Sequence, residues 1–265
     1  MHIDRKRATK AFQNYVEHYD ANNARISLKV AHTYRVAMLC ERITQNVASS
    51  SDYPFGADDV QLAWLCGLLH DIGRFEQVRR YDTFNDALSV SHAALGVQVL
   101  FGHADPRGPL IRSFVPDDAE DALICSTTAT HSDYRIPSSF DERTKAHCNV
   151  LRDADKIDII RVNCTSSIAD IYGVSEDDML HSELSTTVVE AFYEHRTIPR
   201  GIRRTPADIL VGHLCFAWEL VYPESQRILR EQGHIDQMLS RRFANNNTQA
   251  TFARMAHHMR TWLEL

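Results

Sequence analysis

No run of about 18 apolar residues occurs in the 265-residue chain, so nothing in it reads as a membrane span. Basic charge is in deficit. There are 29 Lys and Arg against 35 Asp and Glu, a formal charge of −6, which disfavours a general nucleic-acid binder with a basic face. None of the 6 cysteines (Cys40, Cys66, Cys125, Cys148, Cys164, Cys215) belongs to a CxxC pair, and most stand among apolar neighbours. They read as reduced core thiols of a cytoplasmic protein. The opening MHIDRKRATKAFQNY has basic residues with no apolar stretch behind them, unlike a secretory signal. Strand signals are weak, and there is no repeat, low-complexity tract or clear linker.

What is present is helical periodicity. A 44% hydrophobic, 24% charged composition suits a globular protein able to bury a sizeable core. Apolar spacing predicts helices over 4–19, 25–48, 58–70, 92–102, 117–131, 142–163, 165–172, 182–195, 206–222, 224–231 and 234–263. Gly73 is expected to break the third of these, and the polar stretch 76–88 to be a loop. The segment GHADPRGP reads as a turn region. The expectation is one all-α domain, a single-domain helical bundle. It has an N-terminal helix (1–24), a core (25–165) and C-terminal helices packed on the same domain (166–265). The apolar-striped tail leaves a homo-oligomer open.

The chain carries 14 histidines, several inside apolar segments, where an imidazole must be hydrogen-bonded, paired or metal-bound. Five segments place metal-competent residues on or beside apolar helices: Ala31-His32-Thr33, Leu69-His70-Asp71-Ile72-Gly73-Arg74, Val90-Ser91-His92-Ala93, Ala129-Thr130-His131-Ser132 and Arg152-Asp153-Ala154-Asp155-Lys156. Imidazole nitrogen combined with carboxylate oxygen suits Fe, Mn, Zn, Ni or Co. Neighbouring helical residues point about 100° apart, so His70 and Asp71 share a site only off a helix end.

The ordered set His32, His70-Asp71 and Asp155 resembles the HD-domain superfamily of metal-dependent phosphohydrolases, with LLHDIGRF and RDADKID similar to that family's own segments. The resemblance implies an all-α bundle of the HD-domain type. In it His32, His70, Asp71 and Asp155 hold one divalent transition metal ion, and His92, His131 and a shared Asp71 hold a second. It implies that a metal-activated hydroxide attacks a phosphomonoester or phosphodiester, with a small, nucleotide-like phosphorylated substrate. Asp71 and Asp153 are the candidate catalytic carboxylates, with Asp153 or a water as proton relay. Arg74, Lys156, Arg135 and Tyr134 are candidate substrate contacts. Arg74 has a competing reading as a helix-end cation paired with Glu76 or Asp82. Arg74 also stands where some HD nucleotidases carry an acid, which disfavours a single-metal mechanism, and the GYP tripeptide of cyclic-dinucleotide phosphodiesterases is missing. The same six ligands also fit an HD-type diiron oxygenase, and an HD fold can serve as a non-catalytic sensing module.

Overall fold

Asp4 opens the first helix by accepting hydrogen bonds from the amides of Lys6 and Arg7 at 2.9 and 3.1 Å, relieving two of the donors every helix start leaves unpaired. From there the chain, described by a computed structural model for residues 3–47, 53–102 and 108–264, runs helix after helix with no strand among the described residues. It divides into two units, Met1–Asp155 and Lys156–Leu265. No helix among the described residues is long and apolar enough to cross a membrane. The predicted turn GHADPRGP lies mostly outside the described residues.

The first unit contains α1 (Arg5–Val16), α2 (Ala24–Val47), α3 (Ala57–Leu69), α4 (Ile72–Tyr81), α5 (His92–Phe101), α6 (Ile111–Phe114), α7 (Asp121–Thr130) and most of α8 (Glu142–Thr165). Helix α2 packs along α3, α4 on α5, α5 on α7, and α1 on α6. Phe12, Tyr34 and Phe75 meet edge to face, with ring centroids 5.4 and 5.8 Å from Phe12. The Tyr15 hydroxyl donates to the Ile72 carbonyl at 3.1 Å, fixing α1 to the start of α4.

Two glycines set the closest helix approaches. A Cβ on Gly67 would stand 2.7 Å from Ala37 Cα, so α3 lies flush on α2. A Cβ on Gly73 would stand 2.2 Å from the His92 carbonyl oxygen and 2.5 Å from the Gly96 nitrogen, so α4 lies flush on α5. This corrects the expected break at Gly73 and the expected loop from residue 76. The break comes earlier, at His70-Asp71, and Gly73 is an interior contact residue of α4. Ile72, Phe75 and Val78, all buried, form the apolar stripe of that helix. Gly73→Ala is expected to cost at least about 1–3 kcal/mol, because the clash is with backbone. Its thermal midpoint should drop by several degrees, and an unchanged melting curve would refute the flush contact.

Helix α7 begins at Asp121 instead of 117. Arg112 donates to the Asp117 carbonyl and to the Asp121 carboxylate, holding the intervening segment as a turn. Helix α5 starts at His92 with Ser91 as cap, its hydroxyl accepting from Ala94 N at 3.2 Å.

The second unit continues α8 with α9 (Ile168–Tyr172), α10 (Glu176–Leu180), α11 (Thr186–Phe192), α12 (Pro206–Leu214), α13 (Pro223–Gln232), α14 (His234–Leu239) and α15 (Asn246–Leu263). Two expectations here are corrected, and one further helix is found. The 206–222 helix stops at Leu214 and gives way to a 3₁₀ turn, Cys215–Glu219. The 234–263 helix is two helices, because Asn245 accepts from Thr248 N at 3.0 Å and restarts the chain as a new N-terminus. Helix α10, which apolar spacing does not predict, is opened by a reciprocal cap between Ser175 and Asp178. The cysteines are all free, with Cys40, Cys66, Cys148 and Cys215 buried.

Candidate metal centre

The α3–α4 break brings His70 and Asp71 to one place. His70 caps α3 in helical conformation, and Asp71 follows at φ −103°, ψ 16°, leaving the helical path. Consecutive residues can then face the same point, and His70 Nε2 lies 3.4 Å from Asp71 Oδ2. His32 arrives from the middle of α2 and Asp155 from α8. His32 Nε2 is 3.3 Å from His70 Nε2, 3.5 Å from Asp71 Oδ2 and 3.1 Å from Asp155 Oδ1.

The other oxygen of Asp71 faces a second group. His92, the first residue of α5, and His131, at the end of α7, bring their Nε2 atoms 3.0 Å apart. They lie 3.5 and 3.6 Å from Asp71 Oδ1. The four imidazoles and Asp71 are buried, and Asp71 belongs to both of the clusters able to hold an ion.

Tautomers make the arrangement informative. His70 Nδ1 is 2.7 Å from the Gly67 carbonyl, and His131 Nδ1 is 2.8 Å from the Thr128 carbonyl. A carbonyl only accepts, so Nδ1 carries the proton and Nε2 presents its lone pair. His92 Nδ1 likewise meets the Asp86 carboxylate at 2.7 Å. Burial pushes His92 down to about 3, and the Arg74 guanidinium acts in the same direction, so this imidazole is neutral. Burial lowers His70 as well. In the His92–His131 pair both Nδ1 atoms are taken up by acceptors and the two Nε2 atoms face each other, an arrangement suited to a cation between them. Two nitrogens about 2.1 Å from one ion stand roughly 3.0 to 3.4 Å apart, which is the spacing of both histidine pairs. The donor set fits divalent metal.

Carboxylate charge is balanced from outside. Burial alone would raise Asp71, but the Lys29 ammonium, 2.5 Å from Oδ2, holds it well below the usual carboxylate range. Burial opposes ionisation of Asp155 too, and its contact with His32 keeps it low. Asp86 is a hub: one oxygen accepts from His92, the other from Arg74 and Gln77, each at 2.9 Å. Those contacts overcome burial and depress its carboxyl.

The remaining candidate residues have surroundings of their own. Arg74 pairs with neither Glu76 nor Asp82. Its Nη1 donates to Gln77, Asp86 and the Phe84 carbonyl, and its Nε, buried with no hydrogen-bond partner, is 3.6 Å from Asp71 Oδ1. Asp153 is fully buried on α8, about 200° around the helix from Asp155. Tyr134 is exposed in the turn after His131, with the Arg135 guanidinium 4.3 Å over its ring. Lys156, in the second unit, donates to the Glu219 carbonyl at 3.1 Å. Three further residues take part in the site. Lys29 is one helical turn before His32, a detectable i−3 relation. Arg152 donates to the carbonyls of Thr130, His131, Asp133 and Tyr134, clamping the turn that carries His131. Asp86 carries no local signal.

The model of the HD domain matches residues 30–160, a span containing all six converging side chains. These residues form an HD domain. No curated protein and no solved structure shows significant similarity to the chain. The HD domain is an all-helical fold of the metal-dependent phosphohydrolase superfamily, and its His/Asp clusters suit divalent metal. Within this HD domain, Asp86→Ala should weaken binding at the His92–His131 side by roughly 10–100-fold while sparing the His32–His70 side. Metal titration by calorimetry would read this as selective loss of one class of site, and equal weakening of both sides would count against it.

Proposed function

We propose that this HD-domain protein hydrolyses a phosphomonoester or phosphodiester, with nucleotides as the leading substrate class. One observation carries the reading: the two oxygens of Asp71 are shared between two separate histidine sets. His32, His70 and Asp155 with Asp71 would hold one ion, and His92 and His131 with the same carboxylate a second. Bound divalent ions of this kind supply Lewis acidity and a water of lowered pKa. The protein's own part is to hold His70, His92 and His131 with Nδ1 turned to acceptors, leaving Nε2 toward the centre, and to hold Asp71 ionised beside Lys29. Asp86 orients His92, and Arg152 orients the His131 turn. Asp153 is proposed as a proton relay. Arg135 and Tyr134 at the exposed turn, with the Nε of Arg74, are proposed as contacts for the charged substrate. The free cysteines support a reducing compartment.

The test is metal analysis of freshly purified protein, followed by a phosphate-ester screen with Mn, Ni or Co restored. About two ions per chain and metal-dependent phosphate release are expected. Bound iron with O₂ consumption and no phosphate release would replace the reading with an HD-type oxygenase. Ligand binding without any metal-dependent product would replace it with a sensing module.

A further inference from the structure

Three pairs of histidines among the described residues meet Nε2 to Nε2. Two belong to the centre above, at 3.3 and 3.0 Å. The third lies within the second unit: His195 and His258, with Nε2 atoms 2.6 Å apart. His195 follows α11 and adopts φ +54°, a left-handed conformation that a non-glycine residue takes at a cost. The strained backbone delivers its ring flat onto Trp218, with centroids 4.2 Å apart and planes 11° apart. Trp218 is itself held edge-on by Trp262, one turn beyond His258 on α15, at 4.6 Å. Three separate pieces of chain therefore cooperate to present two imidazoles to each other. They do so at the wall of a solvent-open cleft of about 530 Å³, lined also by Tyr193, His257 and Arg254.

We infer that His195 and His258 form a second, independent metal site that takes a borderline transition ion, Cu(II), Ni(II) or Zn(II), through paired Nε2 atoms. The donors are purely nitrogen, and no carboxylate among the described residues lines the cleft, so hard ions such as Mg and Ca are disfavoured. Two imidazoles on one tetrahedral ion stand roughly 3.3 Å apart, so the rings need to part by a fraction of an ångström. His195 is exposed and has the room to do so. The remaining coordination positions open into the cleft, where water or an anion held by Arg254 completes the set.

The experiment titrates the full chain with CuCl₂ and follows tryptophan fluorescence. Trp218 and Trp262 are two of the 3 tryptophans in the chain and adjoin the site, so bound Cu(II) should quench most of the emission. His258→Gln should abolish the quenching step, as should His195→Asn, which keeps a residue tolerant of positive φ. A His70→Ala/Asp71→Ala double variant should retain it, separating the site from the HD centre. Electron paramagnetic resonance of the copper complex in that double variant should show nitrogen couplings that diminish in either single-histidine variant made in the same background. Quenching that survives both His195→Asn and His258→Gln, or no quenching in the parent protein, overturns the assignment. It would leave the pair as a shared-proton hydrogen bond.

Discussion

Asp71→Asn is expected to strip both ions from the HD domain and to lower turnover by about 10³-fold or more, the scale on which removal of preorganised electrostatic stabilisation is felt. The reason is geometric. Each histidine pair by itself offers only imidazole nitrogens, and Asp71 supplies negative charge to both sides through different oxygens. The asparagine is nearly isosteric, so packing survives, but it carries no charge and only one oxygen. Lys29, 13% exposed at its side chain, then loses its anion and adds repulsion toward any incoming dication. His92→Ala should behave differently, losing one ion while His32, His70, Asp71 and Asp155 keep the other. Metal content by mass spectrometry under native conditions reads both outcomes. An Asp71→Asn protein that retains two ions would dispose of the shared carboxylate.

Acidification of the metal-free protein is expected to destabilise it in two successive windows. His92 titrates near 3 in the folded protein and near 6.5 when unfolded. Between those values the unfolded chain binds a proton that the folded one refuses, so stability falls as pH drops from about 6.5 toward 3. His92 alone spans about 3.5 pH units, an upper bound on the order of 4–5 kcal/mol. His70 acts in the same direction. Asp71, Asp86 and Asp155 have depressed folded-state values. Their contribution is complete above the ordinary carboxylate range and is lost as pH falls below about 4. Urea denaturation in the presence of a chelator, repeated from pH 7.5 to pH 4, should show a steadily declining midpoint. Saturating metal should hold the midpoint up to lower pH, because the ligands are already committed in the deprotonated form. A midpoint independent of pH over that range would contradict the buried neutral imidazoles.

The site is more legible in the sequence than the helices that carry it. Polar groups inside apolar segments single out five stretches, and the resemblance to the HD superfamily picks His32, His70, Asp71, His92, His131 and Asp155 within them. Their partners are harder to find. Lys29 lies 42 positions from Asp71, and Asp86 is one acid among several in a polar stretch, so only folding reveals what they face. Arg74 follows the same rule: its competing reading looks to nearby Glu76 and Asp82, whereas Asp86 arrives from 12 residues away. Helix α4 is hidden because Gly73 has two meanings. A glycine after an apolar helix usually ends it, but here the missing side chain lets α5 approach, a tertiary cause with no local signature. The α14–α15 break is carried by a side-chain cap at Asn245, which an unbroken apolar stripe conceals.

The Tyr15 hydroxyl grips the Ile72 carbonyl, one residue beyond the carboxylate that both histidine sets share. Helix α1 therefore braces the ion site while contributing no donor to it. By reciprocity, ion loading should shield the first 16 residues from proteases, and clipping them should speed ion loss from a domain whose six donors are all intact.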